Sequence, residues 1–389
     1  MPTADDYERA GLFDPTTDTD TGRLELLDWL SEQGFSIAEM QHALATDALG
    51  SMAGDRRMVP GERLTRADAI ERSGLSPDDF DAYARAFGFV PIDGAPEGEI
   101  GFTEAEIASL AAVSVLASTF SGDEAKGLVR VMASSLARIG EAAVSLFLAD
   151  IESPHLLSGA KEIELARAVY DAVGLLDGLT DRLDPILRRQ MLQAVERTRR
   201  TAIDITERFQ YRYAVGFVDL VGFTALSRDM GAQELSQFMG RFEAEAHDVA
   251  TSAGARVVKL IGDEVMFVAT DPVAACRAAI ALMDAFDADY VGVAPRGGMA
   301  FGNVVLRSGD YYGSVVNLAS RLVDQAGPLE VLLTDSLADA AVGCEFEPAG
   351  RRMVKGFDEP ISVQSMQAGS TTTTSTTSTS TSSSAAVSR

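Results

Sequence analysis

The residues of chemical interest lie in the second half of the chain, and the first two are aspartates. Asp219 closes the apolar strand expected at 213–219 and leads through Leu-Val-Gly-Phe-Thr into a helix. A carboxylate in that place can hold a hard cation while the free N–H groups of the helix face phosphate; it can equally cap the turn. Asp263 follows Gly262 in the hairpin 256–269, where glycine supplies the positive φ of a two-residue turn and the carboxylate projects from the sheet end. If the two strands are neighbours, both carboxylates reach one edge, as a two-metal phosphoryl-transfer site requires.

Lys259 is the anomaly of that hairpin. It interrupts the apolar run Val-Val-Lys-Leu-Ile, and two-residue alternation puts it on the face of Val257 and Ile261. An unpaired ammonium there is costly, so it must meet an acceptor or a ligand. Downstream, Asp310-Tyr-Tyr-Gly-Ser-Val-Val-Asn-Leu-Ala-Ser-Arg321 places Asn317 and Arg321 four apart on one helix face. Val316, Leu318 and Leu322 supply the buried side.

These residues need a scaffold of alternating strands and helices. After Tyr211 the pattern gives a strand at 213–219, a helix at 233–252, the hairpin and a helix at 272–286. Strands at 298–301 and 304–307, a helix at 315–325 and a strand at 330–333 follow. Two β-α-β units around an antiparallel hairpin predict an α+β chain whose C-terminal half is a ferredoxin-like α/β sandwich with additions. From Leu24 to about Arg182 apolar residues recur three and four apart, which predicts an all-α domain over 1–184. Residues 185–210 form a helical linker carrying Arg188, Arg189, Arg197, Arg199 and Arg200, and 211–368 form the second domain. The Ser/Thr-rich tail 369–389 cannot bury a core and is expected to be disordered.

Within the first half, 64–80 has the pattern of two short helices about a Ser-Gly turn, with Ser76 as N-cap and Pro77 at N1. The second helix opens with Asp78, Asp79 and Asp81, the wrong charge for reading DNA. Residues 109–149, rich in Ala, Val, Leu, Ser and Met, predict a packed bundle core. With 58 acidic against 33 basic residues the formal charge is -25, which opposes binding to nucleic acid and anionic membranes. No apolar run reaches the roughly 18–20 residues of a membrane span, and the N-terminus lacks a basic leader region, so a cytoplasmic protein is expected.

In order and spacing, Phe-x-Asp-Leu-x-Gly-Phe-Thr, Lys-x-x-Gly-Asp-x-x-Met and Asp-x-x-Gly-x-x-Val-Asn-x-Ala-Ser-Arg resemble the catalytic domain of class III nucleotidyl cyclases, over about 211–367. A helical half followed by such a domain is similar to the actinobacterial adenylyl cyclases with an N-terminal regulatory domain. The resemblance implies conversion of ATP to 3′,5′-cyclic AMP and pyrophosphate. It implies that Asp219 and Asp263 bind two Mg²⁺ or Mn²⁺ ions and that Lys259 and Asp310 read adenine. Asn317 would orient the ribose, and Arg321 would stabilise charge on the α-phosphate. Lys355, in Val-Lys-Gly-Phe, matches the family's lysine for the terminal phosphates, although a Lys-Gly turn is also common on surfaces. Metal ligands and base-reading residues come from different subunits in this family, so a head-to-tail homodimer with two shared sites is implied. The competing expectation is a ligand-sensing or DNA-binding regulator whose cyclase-like half only dimerises.

Overall fold

The computed structural model describes residues 1–18, 21–89, 101–120, 122–201, 210–289 and 292–367. The Ser/Thr-rich tail and residues 202–209 of the expected linker lie outside these. Contacts divide the chain into two units, Met1–Arg189 and Gln190–Arg389.

The first unit is helical: α1 Ala4–Arg9, α2 Arg23–Glu32, α3 Ile37–Ala45, α4 Met52–Met58, α5 Arg66–Ser73 and α6 Pro77–Phe87 are followed by α7 Glu104–Thr119, α8 Gly122–Phe147, a π turn at Leu148–Glu152, α9 Ser153–Ser158 and α10 Glu162–Gly174. The helix α11, Leu179–Thr201, runs across the boundary between the units and contains Pro185. The helix-turn-helix pattern forms as expected. Gly74 ends α5 in the left-handed region, and the Ser76 hydroxyl accepts from the Asp79 N–H at 3.2 Å. Arg66 of α5 holds Asp81 of α6 at 2.6 Å.

Two expectations for this half are corrected. The packed core expected at 109–149 exists only at its start, where Leu110, Val113, Ala125 and Val129 are buried. Further along α8, Leu136 and Ile139 are 59% and 57% exposed, because among the described residues no element of the chain covers that face. The stretch Glu124–Ser158 also contains an 18-residue window that is, by length and composition, apolar enough to cross a membrane, with mean hydropathy 1.4. Arg130, Arg138, Glu141 and Asp150 interrupt it, which is why no uninterrupted apolar run was visible.

The second unit is built on an eight-stranded sheet: β1 Gln210–Val221, β2 Arg256–Ile261, β3 Glu264–Ala269, β4 Ala294–Arg307, β5 Asp310–Tyr312, β6 Glu330–Thr334, β7 Glu347–Arg352 and β8 Ile361–Gln367. The order is β2-β3-β1-β4-β6-β8-β7, with β5 paired to β4. Its first four strands, with α13 Ala232–Ser252 and α14 Pro272–Asp289, make the expected ferredoxin-like β-α-β-β-α-β core. The helix α12, Phe223–Asp229, directly follows β1. The central strand β1 is apolar on both faces, Tyr213 to Val218 being buried, as a strand covered on both sides must be. One face packs on α13 and α14 through Phe242, Phe267, Leu282 and Phe286; each such side chain contributes roughly 1.5–3 kcal/mol. The opposite face, carrying Phe217, Met266, Val268 and Val304, packs on α15 Ser314–Val323. A final helix, α16, spans Asp335–Ala340.

Two features depart from the sequence pattern. The expected strands at 298–301 and 304–307 are one strand, β4, because pairing with β1 continues unbroken from Gln210↔Val305 to Val221↔Ala294. The second departure concerns Lys259. The β2–β3 register runs Arg256↔Val268, Val257↔Phe267 and then Lys259↔Met266, so Val258 is an extra residue, a β-bulge. Lys259 therefore leaves the face of Val257, under α13 and α14, and joins Arg256 on the face of Met266 and Phe217. Alternation resumes afterwards, so Ile261 stays on its face.

Candidate active site

Asp219 stands opposite Glu264 in the β1–β3 register and opposite Arg296 in the β1–β4 register, a row of three polar residues across one end of the sheet. The Arg296 Nε and Nη2 both donate to Asp219 Oδ2, at 3.0 and 2.9 Å. Asp263 occupies the β2–β3 turn beside them, after Gly262 at φ 63°. Burial raises its carboxyl above the ordinary value, and the neighbouring Asp219 charge adds to this. Burial likewise pushes Glu264 up to about 7, with the charges of Asp219, Asp324 and Asp263 contributing. Arg296 offsets part of that accumulation.

This edge fits a hard divalent cation. Asp219 and Asp263 are close enough to repel each other, and a bound cation would relieve that repulsion. Among the described residues no three or more His, Cys, Asp or Glu side chains converge on one point. A carboxylate pair is nevertheless the complement that magnesium-type ions use when phosphate oxygens and water complete their shell.

The second cluster joins β2 to β5. Lys259 Nζ lies 2.5 Å from Asp310 Oδ2, with the side chains 40% and 28% exposed, so a ligand can reach the pair. Three residues earlier, Arg256 Nη2 donates to the Tyr311 hydroxyl at 2.9 Å. The lysine found its acceptor because the bulge turned it towards β5.

Asn317 and Arg321 sit on α15, which is anchored by buried Ala319, Leu322 and Val323. That helix lies hard against β4: a Cβ at Gly298 would fall 2.3 Å from the Ala319 carbonyl, so only glycine fits there. Asn317 is exposed and Arg321 half-buried, and among the described residues neither side chain forms an ion pair or hydrogen bond. Lys355 is exposed in the turn after β7, beside Gly356 at φ 88°, and its side chain is also without such a partner among the described residues. Contacts thus unite Asp219 with Asp263 and Lys259 with Asp310, but do not tie Asn317, Arg321 or Lys355 to either cluster.

Arg296 and Glu264 were missed from the sequence. The signal for Arg296 was available: like Lys259, it is a basic residue at the head of an otherwise apolar and glycine-rich strand. Glu264 follows Asp263 directly and gave no signal beyond that.

Two family descriptions match the chain: adenylate cyclase regulatory domain over residues 5–208, and adenylate and guanylate cyclase catalytic domain over 208–367. The chain belongs to the class III adenylate cyclases of actinobacterial type. An uncharacterized protein of Mycobacterium tuberculosis is 32% identical over 358 residues, 92% of each chain. An adenylate cyclase of Streptomyces coelicolor is 32% identical over 289 residues, 74% of each chain. A pH-sensitive adenylate cyclase of Mycobacterium tuberculosis is 28% identical over 365 residues, 90% of this chain and 89% of that one. Among solved structures, an adenylyl cyclase from P. aeruginosa matches 41% of this chain and 95% of its own, at 25% identity and a TM-score of 0.37. As a member of this family the protein is an enzyme.

Proposed function

We propose that the enzyme converts ATP to 3′,5′-cyclic AMP and pyrophosphate, a reading carried by the Lys259–Asp310 ion pair at 2.5 Å. Adenine presents an acceptor at N1 beside a donor at N6. An ammonium and a carboxylate side by side answer both, whereas guanine has the opposite polarity along that edge. Asp219 and Asp263 would hold two Mg²⁺ or Mn²⁺ ions, which when bound supply Lewis acidity to the ribose 3′-OH and charge neutralisation to the triphosphate.

In this reading Lys259 and Asp310 fix the base, and Asn317 orients the ribose. Arg321, one turn further along α15, places a guanidinium against the charge that develops on the α-phosphate. Arg296 is a further cation for phosphate at the carboxylate edge, and Lys355 meets the terminal phosphates. Among the described residues the Arg321 and Asn317 side chains have no hydrogen bond or ion pair within their own chain, which supports a head-to-tail homodimer in which each subunit completes the other's site. Residues 1–184 would regulate residues 211–368 through the segment 185–210, supported by the regulatory-domain match and the pH-sensitive relative. The reading includes a cytoplasmic location, where ATP is available.

Mixing tests the shared site. Asp219→Ala and Arg321→Ala homodimers are each expected to be nearly inactive, while their mixture regains activity through heterodimers holding one intact site. No recovery on mixing defeats the two-subunit site; a wild type that prefers GTP defeats the base assignment.

A further inference from the structure

We propose that Arg256 and Tyr311 are the positioning pair for base recognition, setting Asp310 against Lys259 and thereby the preference for ATP over GTP. This rests on the reading above that Lys259 and Asp310 contact the base. The backbone supports it by what it leaves untied: β2 is an edge strand paired to β3 alone, and β5 is a three-residue strand paired to β4. No ladder of hydrogen bonds joins β2 to β5. The sheet links them only through β3, β1 and β4, and direct contact between the two is made by side chains.

Among the described residues two polar side-chain contacts join them, Lys259 to Asp310 and Arg256 to Tyr311. When a base engages Lys259 and Asp310, the first contact loosens, and the second keeps the strands in place. Tyr311 is suited to this. It is buried, its ring meets Tyr213 edge-on at 5.1 Å, and its backbone N–H donates to Asp310 Oδ1 at 2.8 Å. The Asp310 carboxylate is thus held at one oxygen by Tyr311 and presents the other to Lys259. Arg256 completes the arrangement: its Nε is buried without a hydrogen-bond partner among the described residues, and its Nη2 is committed to the Tyr311 hydroxyl. The Val258 bulge brings Arg256 and Lys259 to the same face, so both reach β5 from one strand.

Tyr311→Phe removes one oxygen and leaves the ring on Tyr213. In the full-length enzyme it is expected to raise the KM for ATP roughly 3–10-fold and to narrow the ATP-to-GTP ratio of kcat/KM about tenfold, with kcat changed less than about twofold. Arg256→Ala should do the same and the double variant no more, because the two act as one unit. Arg256→Lys, which retains a donor, should restore most of the selectivity. The Arg256 variants carry the test if Tyr311→Phe does not fold. An unchanged nucleotide ratio in both Tyr311→Phe and Arg256→Ala overturns the proposal, as does a fall in kcat and thermal midpoint without a change in ratio. Lys259→Ala, measured in parallel, separates the failures. If it too leaves the ratio unchanged, the base assignment falls and the positioning pair with it; if it alone moves the ratio, only the positioning pair is overturned.

Discussion

At the end of β1, Asp219, Asp263 and Glu264 outnumber the guanidinium of Arg296, whereas between β2 and β5 Lys259 and Asp310 balance one to one. The carboxylate edge is left with excess negative charge, which adds to the effect of burial in raising the carboxyl groups of Asp263 and Glu264. The β2–β5 pair satisfies itself and carries no such excess. An unbalanced cluster depends on an added cation, so its energetics change when one binds. A balanced pair can discriminate between bases by exchanging one set of partners for another, at little cost to the fold.

The largest effect separating the two regions should come from the unbalanced one. Asp263→Ala is expected to lower cyclase activity on the order of 10³-fold and to weaken Mn²⁺ binding measured by titration calorimetry. Near wild-type turnover would remove the carboxylate edge from the chemistry. Changing the balanced pair should alter choice more than rate: Lys259→Glu with Asp310→Cys is expected to shift the ATP-to-GTP ratio of kcat/KM towards GTP by about 10²-fold. Equal losses on both nucleotides would show that the pair supports the fold without reading the base.

The smallest effect is on stability. Glu264 titrates at about 7 in the folded protein against an ordinary 4.5, so the folded state binds the extra proton between those values. Its contribution to stability is therefore greatest below about 4.5, falls as pH rises towards 7, and is level above that. In EDTA, the thermal midpoint of the catalytic unit should decline across this window, and Glu264→Gln should flatten part of the decline. Mn²⁺ should flatten it as well, by supplying the charge the carboxylates lack. A slope unaffected by either change would mean that the carboxylates do not share one electrostatic environment.

The helical half offers a second contrast. Its sequence allowed a bundle core at 109–149, and the apolar spacing was real, yet Leu136 and Ile139 remain more than half exposed. Periodicity records that a helix has an apolar face, and it says nothing of what covers that face. In the sheet the same kind of inference held, because strands with apolar residues on both faces need cover on both sides, and α13, α14 and α15 supply it.

The sequence by itself determined the ferredoxin-like order of elements, the family and the identity of the conspicuous polar residues, since these depend on local periodicity and on motifs short along the chain. The tertiary structure decided which of those residues meet. Arg296 reaches Asp219 across 77 positions, and Tyr311 reaches Arg256 across 55, contacts that no local pattern carries. Lys259 is the clearest case. Alternation assigned it to the face of Val257, and the Val258 bulge moved it to the face of Asp310. A bulge is an extra residue only in relation to the strand opposite, so it exists in the pairing of β2 with β3 and is invisible in β2 alone.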